Sequence, residues 1–335
     1  MAPVRLPQRQ PTYVAFQHGR SRDLTSGMTL LEVLVITLVV ALLMSLFLPA
    51  LLAARESARR LNCQQHLRQQ GVALTTYADL LMAYPPGWNT WGHGWTAFLL
   101  PYLEHQSLYD LLVFQEEGDG NWDSGHGNTR AIRQYVAEFR CPSLPVPRYV
   151  TSNRVANRVP ASYRGNAGSL ASSDDHNTLV VPGTRSLEDL QQNGIFYACS
   201  QVRPADVLDG LSCTLGVGES RTDPKFIKDG QAMDFWYIGS AQIDDCRCDG
   251  GSEGTEFSEF VGTTFSPLNA AQHTPRLHGV LLELSFGSYH PGGCQVLRLD
   301  GGVTFLSDDI ALPVLRAWSS RADGDEVPRA GNSPS

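Results

Sequence analysis

Leu30 through Leu48 is a run of nineteen residues in which Glu32 is the sole ionisable side chain. As a helix at about 1.5 Å per residue it would cover about 28 Å, close to the roughly 30 Å of a bilayer's hydrocarbon core. The run is too long for an ordinary signal-peptide apolar region, and no small-residue cleavage site follows it directly. A membrane span over about residues 30–48 is therefore expected. A carboxylate inside a bilayer costs about 2.5–3.5 kcal/mol on insertion scales, so Glu32 needs either a cationic partner or a place at the solvated end of the span.

Charge divides the chain. Residues 1–27 carry Arg5, Arg9, Arg20 and Arg22 against Asp23, a sum of +3, so the remainder of a chain with formal net charge -8 stands near -11. An acidic body has no general attraction for nucleic acid, and no nucleic-acid partner is expected. The 31 Gly and 20 Pro favour a loop-rich, largely β body over a helical bundle. Positive charge does not settle orientation, because Arg20 and Arg22 precede the span while Arg55, Arg59, Arg60 and Arg68 follow it.

The helix is expected to continue past Pro49 to Pro85-Pro86, since residues 50–84 are rich in helix formers. Cys63, Leu67, Gly71, Leu74, Ala78 and Leu81 recur at the spacing of one helical face, which should pack on the body and leave Arg and Gln side chains wet. Cys63 on that stripe has Cys141, in "FRCPSLP", as its natural partner for a disulfide joining helix to body; buried free thiols are the alternative. The Cys246-x-Cys248 spacing disfavours a bond between those two, and an odd total of seven cysteines leaves at least one outside any internal pair.

Beyond Pro86, Trp88, Trp91 and Trp95 lie near His93 and His105, with a helix expected over 95–112. The tryptophans read as a core wedge, or alternatively as a platform for stacking sugars. Asp119, Asn121 and Asp123 have the flavour of a calcium loop but lack the Gly and Glu of an EF-hand, leaving an irregular calcium site as the alternative to no metal. Residues 244–256 read as an exposed acidic loop. Short apolar runs dominate after residue 190, with strands expected within 194–220 and over 294–299 and 303–306, the last two joined by a hairpin turn at Asp300-Gly301. The fold class that follows is α+β: a long N-terminal transmembrane helix running into a mainly antiparallel β globular domain. Residues 28–84 would form the helix, 85–320 the globular domain and 321–335 a flexible tail.

The segment "SGMTLLEVLVITLVV" resembles the processing site of type IV prepilins and of type II secretion pseudopilins. The resemblance implies cleavage after Gly27 by a membrane peptidase, methylation of the new amino terminus at Met28, and pairing of Glu32 with a neighbouring subunit's amine during assembly. Pro49 falls where pilin helices often carry a proline. Met28 stands where these families usually have Phe. "HPGGCQVLRLDGG", with nine residues between His290 and Asp300-Gly301, looks like the H-X9-DG element of a large prepilin-like family whose central domain is of unknown function. "ARESARRLNCQQHLRQQGVAL", "FLLPYLEHQSLYD", "CPS" and "ADVLDGLSCTLGVGES" extend the likeness. Leu211, Cys213 and Gly302 depart from it, standing where that family commonly has Thr, Asn and Ser.

His290 and Asp300 are not expected to be a catalytic pair. An extended 294–299 at about 3.4 Å per residue would hold them roughly 20 Å apart, which assigns structural roles: His290 closing a loop beside Gly292-Gly293, Asp300 making the turn. No nucleophile elbow, zinc-protease helix, phosphate loop or dinucleotide glycine pattern occurs. The expected protein is thus not an enzyme and has no cofactor. It would be a single-pass inner-membrane protein with its body outside the cytoplasm, its partners being lipid, the prepilin peptidase and other pilin-like subunits. An anchored carbohydrate-binding module and an anchored hydrolase with paired carboxylates are the rivals.

Overall fold

The computed structural model describes residues 28–115, 127–152, 155–174, 181–221, 234–237, 248, 259–273 and 279–322. Gly27, the 95–112 region's acidic neighbours Asp119, Asn121 and Asp123, and most of 244–256 lie outside or largely outside these residues, as does the tail beyond Ala322.

Helix α1 runs Leu30–Leu81 and contains Pro49. Its start is a capping box: Glu32 Oε2 accepts from the Thr29 backbone N–H (2.8 Å) and hydroxyl (3.0 Å), while Thr29 Oγ1 accepts from the Glu32 backbone N–H (3.3 Å). The chain divides into two compact units at Ala53/Ala54, inside this helix. Within the first unit every large apolar side chain from Leu30 to Leu52 is exposed, and the segment is long and apolar enough to cross a membrane. Met82 closes the helix in the left-handed conformation (φ 59°), three residues ahead of Pro85.

The second unit is an α+β body that includes α1 from Ala54 onward. Its central five-stranded sheet is built from β3 (Tyr163–Asn166), β6 (Leu215–Glu219), β7 (Val261–Gly262), β8 (Gly293–Arg298) and β9 (Val303–Ser307), in the order β7-β3-β6-β8-β9. The β3–β6, β6–β8 and β8–β9 pairs are antiparallel and β3–β7 is parallel. Two-stranded sheets pair β1 (Val150–Ser152) with β2 (Val155–Arg158) and β4 (Ala171–Ser173) with β5 (Arg185–Ser186). The hairpin turn is at Asp300-Gly301, with Gly301 at φ 82°.

Both faces of the sheet are covered. Val217, Leu297 and Leu299 join the main core with Cys63, Leu67 and Leu74 of α1, whereas Leu215, Cys294, Val296 and Leu306 pack with Leu315 and Trp318 of a C-terminal helix, Leu312–Ser319. Leu215 and Val217 are two apart and would normally share a face; a register shift between them on β6 sends them into different cores. Ion pairs hold the interior elsewhere, with Arg158 on Glu259 (2.7 Å) and Arg164 on Asp234 (2.5 Å), all four side chains buried.

Three expectations need correction. The helix over 95–112 is broken into Trp95–Leu99, a 3-10 turn at Leu100–Leu103 and Gln106–Tyr109. Pro101 lacks the donor that an α-helix would use, and Glu104 turns left-handed (φ 64°) to end the segment. The α1 stripe also differs at its edges: Leu81 is exposed and Gln70 is buried, its amide donating to the Glu138 carbonyl at 2.6 Å. Within "GIFYACSQVRPADVLDGLSCTLGVGES" the described strand is β6 alone. The tryptophans do form a core wedge. Trp88 and Trp95 are fully buried, leaving Trp91 partly exposed, so no three-ring platform faces solvent.

His93, stacked on Phe114 at 4.2 Å between ring centroids, is buried, and desolvation pushes its pKa down to about 3. The unfolded chain regains an ordinary value near 6.5 and takes up a proton that the folded chain refuses. Stability should therefore fall as pH drops from about 6.5 towards 3, by up to roughly 5 kcal/mol from this residue at about 1.4 kcal/mol per unit. In chemical denaturation of His93→Gln, the drop in stability between pH 7 and pH 4 should be smaller than in the parent chain; an equal drop contradicts this source.

Candidate functional site: a buried cluster at one end of the motif

On α1, Glu56, Arg60 and Cys63 continue the docking stripe backwards at steps of four and three. On the body, Cys141 follows a 3-10 turn (Ala137–Phe139), Glu219 ends β6, and His290 sits just before β8. These residues meet. His290 Nδ1 lies 2.6 Å from Glu56 Oε1, and its Nε2 lies 3.2 Å from Cys63 Sγ, 3.4 Å from Cys141 Sγ and 3.3 Å from Glu219 Oε1.

Cys63 and Cys141 are joined as a disulfide with Cα atoms 5.4 Å apart, the pairing expected from the sequence. A second disulfide links Cys199 to Cys248 across 5.6 Å between Cα atoms, in keeping with the avoidance of a Cys246–Cys248 bond. Among the described residues Cys213 and Cys294 are free. Burial raises the Cys294 thiol well above its usual pKa, so it is an inert packing residue.

The cluster is held from several sides. Glu219 Oε2 accepts the Gln295 backbone N–H at 2.7 Å, while its buried Oε1 faces His290 Nε2 at 3.3 Å. Ser288 Oγ accepts the His290 backbone N–H (3.0 Å) and donates to the Gly293 carbonyl (2.7 Å). Gly293 has φ 155°, and a Cβ there would collide with the Leu306 carbonyl, so the second glycine of "HPGG" is obligatory. Arg59 Nη2 pairs with Glu56 at 2.6 Å, Arg60 donates to the Pro291 carbonyl, and its guanidinium lies 4.8 Å from the Phe305 ring centroid. Burial opposes a charged His290 imidazole, but the Glu219 and Glu56 carboxylates outweigh it and hold the pKa above the ordinary 6.5. Burial likewise works to raise Glu56, and His290 with Arg59 more than offsets it, leaving that carboxyl below its usual value.

The other end of the motif also touches α1. Asp300 Oδ1 accepts the Gly302 N–H at 2.8 Å, and the Asp300 N–H donates to the Leu211 carbonyl at 3.1 Å, so Asp300 shapes the turn. Gly71 of α1 is set against that turn: a Cβ added to it would stand 2.8 Å from Leu297 Cδ1 and 3.3 Å from Gly301 Cα. Glu56 and Gly71 are fifteen residues apart, about 22 Å along a helix. The H-X9-DG spacing therefore measures strand β8 against the helix, with His290 gripping one end and Gly301 the other. Asp300 lies in the turn and His290 just before Gly292-Gly293, but Glu56 and Glu219 as partners of His290 were not anticipated. Signals for them exist: Glu56 lies on the backward extension of the stripe, and Glu219 closes an apolar strand.

The chemistry open to this cluster follows from its closure. Cys63, Cys141, Glu219 and His290 are all buried, and their donor atoms lie within 4.8 Å of one another. With all four ligands buried, the group can cross-link the fold or hold an ion. The cleft lined by Arg68, Tyr102, Glu104 and Glu138 includes none of the four.

Two substitutions test the docking. Gly71→Val should destabilise the body by about 1–3 kcal/mol through overpacking against the turn, despite Val's better helix propensity. Cys63→Ala/Cys141→Ala should cost up to about 4.5 kcal/mol, the loop-closure value for the 78-residue separation. Chemical denaturation of the full chain in detergent measures both. Stability within about 0.5 kcal/mol of the parent for either variant would show that its contact does not hold helix to body.

No curated protein and no solved structure matches this chain. A family model described as "Protein of unknown function (DUF1559)" matches residues 52–312, a span that takes in Glu56, the disulfide, Glu219 and both ends of the His290–Gly301 motif but not the apolar run. With more than half of its length matched, the chain belongs to that family.

Proposed function

We propose that this chain is a pilin-like structural subunit, trimmed after Gly27 by the prepilin peptidase, anchored through α1 and assembled with like subunits through that helix. The body would lie outside the cytoplasm of an inner membrane, in a type II secretion or pilus-like system, and the protein would be a substrate of the peptidase rather than a catalyst. The observation that carries this reading is the first unit of α1: its apolar side chains from Leu30 to Leu52 are exposed and Glu32 is the one charge among them before Arg55. Lipid or sibling helices are the surroundings that would cover such a surface. Two disulfides in the body are in keeping with an oxidising compartment.

Glu32 has two available jobs. It caps its own helix through Thr29, and its charge can pair with the amine created at Met28 of a neighbour. The jobs separate chemically, because glutamine completes a capping box and carries no charge. Glu32→Gln should insert and be processed like the parent, yet lose at least about tenfold of its sedimentable or cross-linkable assembly, equivalent to about 1.4 kcal/mol per subunit contact. Undiminished assembly of Glu32→Gln would make Glu32 a helix cap alone and remove charge pairing from the account.

A further inference from the structure

The donor atoms around His290 have the geometry of more than a disulfide. A zinc ion with Zn–S near 2.3 Å and Zn–N or Zn–O near 2.0–2.1 Å sets its ligand atoms about 3.3–3.8 Å apart on a tetrahedron. His290 Nε2 already lies 3.2, 3.4 and 3.3 Å from Cys63 Sγ, Cys141 Sγ and Glu219 Oε1. Three tetrahedral edges are thus in place. The two edges from Glu219 Oε1 to the sulfurs are within 4.8 Å. The edge between the sulfurs must open, and going from a bond of about 2 Å to about 3.8 Å moves each sulfur about 1 Å, within reach of side-chain rotation.

We propose that, once the Cys63–Cys141 bond is reduced, Cys63 Sγ, Cys141 Sγ, Glu219 Oε1 and His290 Nε2 form a closed four-ligand site for a divalent cation of zinc's chemistry. Glu219 Oε1 is the observation that points to an ion: it is a buried carboxylate oxygen 3.3 Å from His290 Nε2 and within 4.8 Å of both sulfurs, a two-sulfur, one-nitrogen, one-oxygen donor set closed to solvent. The surroundings suit a metal. Glu56 takes the Nδ1 side of His290 at 2.6 Å, which leaves Nε2 as the nitrogen that can give up its proton and bind an ion, the carboxylate–histidine arrangement found behind zinc ligands. The Gln295 N–H fixes the other oxygen of Glu219. Two thiolates and an imidazole select zinc over calcium or magnesium, and the complete burial of all four ligands is that of a structural site rather than a catalytic one.

The conversion balances with a dithiol reductant. It gives two electrons and two protons to the Cys63–Cys141 bond and leaves as its own disulfide. The cation then binds both sulfurs as thiolates, releasing those two protons to solvent together with the Nε2 proton wherever His290 is charged, and Glu219 binds ionised. The same contact between α1 and β8 is thereby held by a covalent bond under oxidising conditions and by a metal under reducing ones. This inference is independent of whether the helix assembles.

The test uses the full chain in detergent, stripped by a chelator, either left oxidised or reduced with a phosphine, then given zinc and freed of excess by gel filtration. About one zinc per reduced chain and none per oxidised chain is expected. With cobalt in place of zinc, the reduced chain should show thiolate-to-metal charge transfer and the intense visible bands of a tetrahedral site. Cys63→Ser/Cys141→Ser should lose the ion, Cys199→Ser/Cys248→Ser should keep it, and Glu56→Gln should weaken it about 10–100-fold. If the reduced chain unfolds without metal, zinc present during reduction should preserve its circular dichroism. Zinc absent from the reduced chain in both protocols overturns the proposal. So does equal zinc in the oxidised chain, or retention by Cys63→Ser/Cys141→Ser.

Discussion

The contact of α1 with the β8–β9 hairpin is the constraint on which the rest of the body depends. A helix that starts in one unit and finishes in another must be gripped where the second begins, or its later turns would contribute nothing to the core. The grip is made at two points. Glu56 and Cys63 meet His290, and Gly71 meets the Asp300-Gly301 turn, with Leu67 and Leu74 buried in the main core. Because a strand advances about 3.3 Å per residue and a helix about 1.5 Å, a short strand can reach across some fifteen helical residues. Each end of the motif needs its own residue type. A histidine offers two nitrogens to two sides at once, and glycine allows both the left-handed turn and close approach to the helix.

That grip is also the most polar part of an otherwise apolar docking surface. Two carboxylates, an imidazole and two arginines would be costly there if unpaired. They are instead interlocked, with Glu56 shared among His290, Arg59 and Arg60. The covalent Cys63–Cys141 link lies beside them, so a cross-link and an ionic cluster secure the same junction. Apolar packing alone would tolerate sliding of helix on sheet by a turn. The directional bonds at His290 set one register.

What the sequence made legible was local or periodic. The apolar run, the helical stripe through Cys63 and Gly71 and the hairpin at Asp300-Gly301 all have signals within a few turns or a short motif. The site's remaining members did not, because they are joined by the topology. Glu219 reaches His290 because β6 and β8 are neighbours in the sheet although 76 residues separate Glu219 from Gln295, whose N–H it accepts. Gln70 is buried because one carbonyl, that of Glu138, needed a donor at that depth. The break in 95–112 was written in Pro101 but outweighed by the apolar spacing around it. Leu81 left the stripe because the helix ends there, one residue before the left-handed Met82.

The functional account rests on the first unit, where an exposed apolar helix begins at Thr29 with a carboxylate in its cap. Its central claim is that the chain ahead of that helix is removed, so that Met28 becomes the amino terminus from which assembly proceeds. Terminal sequencing and intact-mass measurement of the protein recovered from the membrane fraction test this most directly. The account predicts a chain beginning at N-methylated Met28; a membrane-bound chain still beginning at Met1 would contradict it.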